Sequence, residues 1–219
     1  MRFLANAISL IFHPLFLVYA LVVLAYFIDK YGYYINDGRA IGAMLIMNFF
    51  LLVLFPTISI AMLVGLKMIS GFKMEKREDR IAPLIITLSL YIWFFINVYN
   101  NVSYPDTLRF IALGINLSVG LAFFINNFTK ISLHTIGVSS FTVGLGILLL
   151  SQERSFIDID LFGIVGYRVS SIFVLLLSVF VAGCVGSARL FLKAHKPQEV
   201  YGGYLVGSLA QIIAFRIMM

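Results

Sequence analysis

Seven stretches of this chain are apolar and long enough to approach a full crossing of a lipid bilayer. A transmembrane helix needs about 20 consecutive, mostly apolar residues. The stretches of this kind are residues 4–28, 41–69, 81–98, 108–128, 135–150, 169–188 and 201–218. Because lipid offers the backbone no hydrogen-bond partners, such a segment must satisfy its own peptide groups, and a helix does so. The sequence therefore predicts an all-α fold, a polytopic transmembrane helical bundle of six to seven spans.

The composition excludes a soluble globular protein. Only 12% of the residues are charged and the mean hydropathy is +1.01, whereas soluble domains carry about 25% charged residues. The loops are short, so residues 1–219 are expected to form a single integral membrane domain. The one cysteine, Cys184, excludes an internal disulfide and a metal site built on thiolates. The net charge of +6 favours anionic partners. Membrane lipids, not nucleic acid, are the expected ones.

Prolines and glycines predict local features of the spans. Proline removes a backbone donor and bends a helix, so the first span is expected to break at His13-Pro14 and the second to kink at Pro56. His13 itself is interpreted as a packing or interfacial residue. Gly203 and Gly207 form a GxxxG pattern, which indicates close helix packing and not a ligand site.

The scarce charged residues gather in three clusters, at residues 73–83, 130–135 and 188–199. Two predicted spans separate each cluster from the next, so all three are expected at one membrane face. Taken singly, each has a structural explanation: a basic loop, a helix start capped by Ser132, and a helix start with Glu199 at its positive end. These explanations do not account for the grouping of two of the three histidines with at least three cations and a carboxylate.

Phosphate-ester cleavage is a chemistry that fits this grouping. Arginine and lysine bind phosphate oxygens and stabilise their charge in the transition state. One histidine attacks phosphorus and splits a difficult displacement into two easier steps. A second histidine protonates the leaving oxygen, and a carboxylate fixes the tautomer of the attacking ring. This chemistry needs neither a metal nor another cofactor.

The clusters resemble the three motifs of the type 2 phosphatidic acid phosphatase (PAP2) superfamily, which read K-x6-R-P, P-S-G-H and S-R-x5-H-x3-D. The resemblance covers residues 73–207, and both the order and the spacing of the motifs hold. The residues at the motif positions are, in chain order, Lys73, Arg80, Ser132, His134, Arg189, His195 and Glu199.

The chain also departs from these motifs. Pro83 follows Arg80 by three positions, Leu133 replaces the glycine of the second motif, and Ala188 and Glu199 replace a serine and an aspartate of the third. The glycine matters because it lets the backbone approach a phosphate closely. A non-catalytic relative that binds or translocates a lipid phosphate is therefore the alternative to an enzyme.

The resemblance implies a role for each matching residue. His195 attacks phosphorus and becomes phosphohistidine, and Glu199 orients it. His134 protonates the leaving alcohol and later activates water. The residues implied to hold the phosphate oxygens are Lys73, Arg80, Ser132 and Arg189. No metal ligand is implied.

The expected function is that of a membrane lipid phosphatase acting on a lipid phosphomonoester or pyrophosphate. Candidate substrates are phosphatidic acid, phosphatidylglycerol phosphate, undecaprenyl diphosphate and a phosphorylated glycolipid. A transporter of small solutes is disfavoured, because few charged residues lie within the spans and no inverted repeat is visible.

The distribution of basic residues does not decide the orientation of the protein in the membrane. Once the basic residues assigned to phosphate are set aside, the loops on the two membrane faces contain nearly equal numbers of them. The resemblance implies a bacterial inner (cytoplasmic) membrane with the site facing outward.

We predict that phosphate release from a lipid phosphate persists in excess EDTA, because the groups assigned to charge stabilisation are side chains and the acid is an imidazole. The measurement is the release rate with and without the chelator. Loss of release that Mg²⁺ or Zn²⁺ restores would contradict the metal-independent mechanism.

Overall fold

The computed structural model describes residues 1–33, 38–74, 76–153, 155–161 and 165–219. Its helices are α1 (Arg2–Ile11), α2 (Pro14–Ile28), α3 (Gly38–Phe49), α4 (Phe55–Gly65), α5 (Ile81–Asn100), α6 (Asp106–Asn126), α7 (Leu133–Ser151), α8 (Ser171–Phe191) and α9 (Pro197–Met218). Within the described residues, six helical segments are long and apolar enough to cross a membrane when α3 and α4 are counted together. The bent pair of α1 and α2 would make a seventh. The prediction of an all-α transmembrane bundle is confirmed.

The first span breaks where the sequence predicts it. The axes of α1 and α2 differ in direction by 46° across Phe12 and His13. Pro14 occupies the first turn of α2, where its fixed φ suits a helix start and its missing N–H is no loss. On the other side of the break, α1 packs against α8.

Pro56 disturbs the second span through its missing N–H. A π-helical turn at Phe50–Leu54 joins α3 to α4 immediately before it. In a regular α-helix the N–H of residue 56 would donate to the carbonyl of Leu52, and proline has none. The hydroxyl of Tyr91, in α5, donates to this Leu52 carbonyl at 3.1 Å. A neighbouring helix thus satisfies the group that the proline leaves unpaired, as burial in lipid requires.

A short hairpin between α7 and α8 was not predicted. Strand β1 (Phe156–Leu161) pairs with β2 (Val165–Ser170) in an antiparallel register that places Asp158 opposite Arg168. The sixth predicted span began at residue 169, whereas the helix begins at Ser171. The alternation of apolar and acidic residues in β1 is the period of a half-buried strand. This alternating pattern covers too few residues to be recognised in the sequence next to the long apolar stretches.

The late glycines pack α9 directly against α7. A Cβ added at Gly203 would collide with Thr135 Oγ1, and one added at Gly207 would collide with the hydroxyl of Ser139 and the carbonyl of Ile136. The interpretation of the GxxxG pattern as a close helix contact is confirmed. This contact fixes the start of α9 beside the start of α7.

The three polar clusters meet at one end of the bundle. Arg80 Nη1 donates to the carbonyl of Ile131 at 2.7 Å, which joins the first cluster to the second. Lys130 Nζ donates to the carbonyl of Ala194 at 3.1 Å, which joins the second to the third. Hydrogen bonds from side chains to backbone carbonyls of the end loops therefore hold the clusters together.

We predict that Gly207→Ala destabilises the protein by about 1–3 kcal/mol, because the added methyl group overpacks the contact between α7 and α9. Gly202→Ala is the matched control on α9. Its Cβ would meet nothing closer than Ile131 Cδ1 at 3.9 Å, and alanine favours a helix by about 1 kcal/mol over glycine. Thermal unfolding of the purified proteins in detergent measures both changes. Equal melting temperatures for the two variants would contradict the close contact.

Candidate functional site

A cavity of about 150 Å³ opens at the end of the bundle where the three clusters meet. Its mouth carries basic side chains, and its deeper wall is mostly apolar. The cations and imidazoles on the wall are Lys73, Arg80, Arg189, His13, His134 and His195. Five of these six come from the residues that the sequence analysis assigned to the site, and all three clusters contribute.

Arg80 is held rigidly although it is almost fully buried, with 5% of its surface exposed. It lies in a short 3-10 turn before α5. Its Nε donates to the carbonyl of Met74 at 3.0 Å, and its Nη1 donates to that of Ile131. Among the described residues, no carboxylate forms a salt bridge with Arg80. The charge of Glu199 acts on Arg80 from a distance, and a bound anion would add the direct partner that a buried cation needs.

Arg189 presents a second guanidinium from the last turn of α8. Its Nη1 donates to the hydroxyl of Ser9 at 3.2 Å, while its Nε is buried and has no acceptor in the described part of the chain. Lys73 lies on the exposed loop at the mouth of the cavity. Within the described residues, neither side chain forms a salt bridge with a carboxylate. The mouth therefore carries positive charge that favours an anion.

His195 and Glu199 form a tight pair at the start of α9. The ring Nδ1 of His195 lies 2.6 Å from Glu199 Oε2. Because a carboxylate accepts, Nδ1 carries the hydrogen and a neutral ring keeps its free lone pair on Nε2. Burial above all, together with the positive charges of Arg80, Lys130 and Arg189, lowers the pKa of His195 to about 4, although the Glu199 hydrogen bond raises it. The imidazole is thus neutral at neutral pH.

His134 is anchored in a different way. It lies in the first turn of α7, and its Nε2 lies 3.0 Å from the backbone carbonyl of Ser9 in α1. A carbonyl only accepts, so Nε2 carries a hydrogen and Nδ1 is the nitrogen that can gain or release a second proton. The N-terminal helix α1 therefore contributes to the site, which the resemblance to PAP2 motifs over residues 73–207 did not suggest.

Two of the predicted site residues do not line the cavity. Ser132 is fully buried and caps α7, because its Oγ accepts the N–H of Thr135 at 3.4 Å. Ser132 is thus a helix cap, and its hydroxyl does not line the cavity. Glu199 contacts the site through His195. Leu133, at the place of the motif glycine, lies on the wall.

His13 is the site residue that sequence reasoning missed. It lies on the cavity wall at the break between α1 and α2, whereas the sequence analysis interpreted it as a packing or interfacial residue outside the site. The available signal was a histidine directly before a helix-breaking proline. His134, whose ring it contacts, lies more than a hundred residues away in the chain, so no local spacing marked it.

The deeper wall of the cavity forms an apolar channel within the bundle. Along α5 it extends from Pro83 to Tyr91, and along α6 it includes Ile115 and Val119. At 1.5 Å per helical residue, the stretch from Arg80 to Tyr91 is about 16 Å long. The cavity thus combines a cationic mouth with an apolar interior that reaches into the membrane-spanning region.

The described residues contain no group of three or more histidine, cysteine, aspartate or glutamate side chains placed to hold a metal ion. The guanidinium groups of Arg80 and Arg189 on the cavity wall are placed to bind an anion directly. No protein-family model matches this chain, and no curated protein and no solved structure is significantly similar to it.

We predict that the ring nitrogens of His195 titrate with a midpoint near pH 4, and that Glu199→Gln moves the midpoint to lower pH. Glu199 raises the pKa of His195, so removing its charge leaves burial and the cations unopposed. Nitrogen-15 NMR of histidine-labelled protein in detergent measures the titration, with His195→Asn identifying the signals. A midpoint near the ordinary histidine value of about 6.5 would contradict the buried, cation-flanked environment.

Proposed function

We propose that this multi-pass membrane protein is a PAP2-like lipid phosphatase that hydrolyses a lipid phosphomonoester or pyrophosphate through a phosphohistidine intermediate. The observation that supports this best is the shared cavity wall. There, Lys73, Arg80 and Arg189 lie without a carboxylate salt bridge in the described residues, beside His195 and His134. Arginine and lysine side chains that are not paired with a carboxylate can bind phosphate oxygens.

The first step is attack by the free lone pair of His195 Nε2 on phosphorus. A P–N bond forms, the P–O bond to the lipid breaks, and the electron pair stays on the leaving oxygen. The ring gains positive charge as it attacks, and the Glu199 carboxylate at 2.6 Å stabilises that charge. The guanidinium groups of Arg80 and Arg189 stabilise the negative charge on the other phosphate oxygens.

His134 acts as the general acid in the first step and as the general base in the second. Since its Nε2–H is committed to the Ser9 carbonyl, the proton that reaches the leaving oxygen is carried on Nδ1. His134 is therefore the imidazolium when it acts as an acid, and the neutral base when water attacks the phosphohistidine. That second attack breaks the P–N bond, releases inorganic phosphate and returns the proton to Nδ1.

The apolar channel supports a lipid as the substrate. With phosphate at the mouth, a hydrocarbon chain would extend along Leu84, Val119 and Tyr91, where burial of apolar surface favours it. Phosphatidic acid, phosphatidylglycerol phosphate, undecaprenyl diphosphate and a phosphorylated glycolipid all meet this description. The resemblance to the PAP2 motifs supports a bacterial cytoplasmic membrane with the mouth facing outward.

A non-catalytic lipid-phosphate-binding or lipid-translocating protein is the second candidate. The observation in its favour is Leu133, whose side chain lines the cavity where the motif has glycine. A bulky residue there narrows the space around a bound phosphate. Binding without phosphate release would be the signature of this candidate.

We predict phosphate release from at least one lipid of a panel made of the four candidate substrates, and its loss by at least about 1,000-fold in His195→Ala, because the nucleophile is removed. Lys196→Ala is the matched control, since this exposed cation of the same loop does not line the cavity.

Rapid quenching with a labelled substrate should also trap an acid-labile phosphoprotein in the wild type and not in His195→Ala. Normal turnover in His195→Ala would contradict the mechanism. Binding of the whole panel with no release by the wild type would favour the non-catalytic alternative.

A further inference from the structure

His13 shares the cavity wall with the proposed catalytic residues but has no role in the reaction described above. It lies at the break between α1 and α2. The centroids of its ring and the His134 ring are 5.4 Å apart, and the ring planes meet at 85°. The two imidazoles therefore meet edge to face, and His13 reaches the immediate surroundings of the proposed phosphate position.

The tautomer of His13 follows from the start of α2. Its Nδ1 accepts a long hydrogen bond of 3.4 Å from the backbone N–H of Leu15. A neutral imidazole that accepts at Nδ1 carries its hydrogen on Nε2. No described residue is seen to accept from that Nε2–H, so the ring retains a donor while it caps the helix.

Helix capping alone does not explain why this residue is a histidine. Serine, threonine, aspartate and asparagine are the favoured N-cap residues, and each would accept the Leu15 N–H with a shorter side chain. What the imidazole adds is a second nitrogen that lies farther from the backbone than a serine or threonine hydroxyl or an asparagine amide. That nitrogen is a donor, and the neighbouring cavity already carries unpaired donors.

The surroundings of His13 favour an anion. Arg189 is fixed to the same N-terminal segment through Ser9, and its buried Nε has no acceptor in the described residues. Pro14 and Leu15 also line the cavity, so the positive end of the 15-residue helix α2 faces it. Arg189 from α8, the start of α2 and the Nε2–H of His13 thus all favour negative charge at this part of the cavity.

We propose that His13 binds the phosphate group directly, its Nε2–H donating to a phosphate oxygen that Arg189 also contacts. The inference rests on the proposed function in taking the anion to be a phosphate. It adds a substrate-binding residue from outside the segment covered by the PAP2 motifs. The bent first span would then contribute directly to phosphate binding.

Two substitutions separate phosphate binding from helix capping. Asparagine and aspartate both cap a helix well. An asparagine that caps through Oδ1 keeps only an Nδ2 donor, on a shorter side chain than the imidazole, whereas aspartate has no donor and adds a negative charge. The probes are inorganic phosphate and decylphosphonate, whose P–C bond is not hydrolysed, so binding is measured without turnover. Titration calorimetry of the full-length protein in detergent gives the dissociation constants, and thermal unfolding checks that each variant is folded.

We expect His13→Asn to weaken both probes by about 10- to 100-fold, the effect of one hydrogen bond to a charged group, and His13→Asp to weaken them more. A pure cap would give equal binding in all three proteins and a melting temperature for His13→Asp at least as high as that for His13→Asn. Unchanged binding in His13→Asn would overturn the inference. So would a loss confined to decylphosphonate, since His13 would then shape the chain channel and not hold the phosphate.

The proposed function can be contradicted by a result that leaves this inference standing. If the wild type binds both probes and His13→Asn does not, the inference stands even where no lipid of the panel is hydrolysed. If the wild type binds neither probe, both are overturned.

Discussion

The fold and the site both depend on the absence of hydrogen-bond partners in lipid. Each span must satisfy its own backbone, so the chain can place irregular structure and most of its charges only at the ends of the bundle. Where Pro56 interrupts this rule, Tyr91 from the next span supplies the missing donor to Leu52. With charges confined to the ends, an even number of crossings brings residues from distant parts of the chain to the same end.

The two histidines of the proposed reaction differ in what holds them. His195 donates to the carboxylate of Glu199, whereas His134 donates to the carbonyl of Ser9. A full negative charge stabilises a positive ring more than a carbonyl dipole does. This difference supports His195 as the group that gains a P–N bond and a positive charge, and His134 as the group that exchanges a proton.

The N-terminal segment ties the bundle to the site more closely than its place in the chain suggests. Ser9 contacts both His134 and Arg189, and His13 lies on the cavity wall one turn away. The axes of α1 and α2 differ by 46° across the break at Pro14, so the direction of α1, and with it the place of Ser9, depends on this break. A sequence feature that only predicts a bend thus bears on which residues lie at the cavity.

The sequence by itself determined the fold class, the position of most spans, the break at His13-Pro14 and the close packing at Gly203 and Gly207. These follow from local rules, since hydropathy, proline geometry and small-residue spacing act over a few turns of helix. It also indicated that the charged clusters share one face, because counting crossings needs no side-chain coordinates.

Tertiary structure alone decided which polar groups reach the cavity. Ser132 is a buried cap although it stands at a motif position, and His13 lines the wall although it stands outside every motif. The tilt of α1, set by its packing against α8, puts Ser9 beside residues more than a hundred positions away. Such contacts depend on how helices rotate and tilt against one another, and no spacing along the chain encodes that rotation.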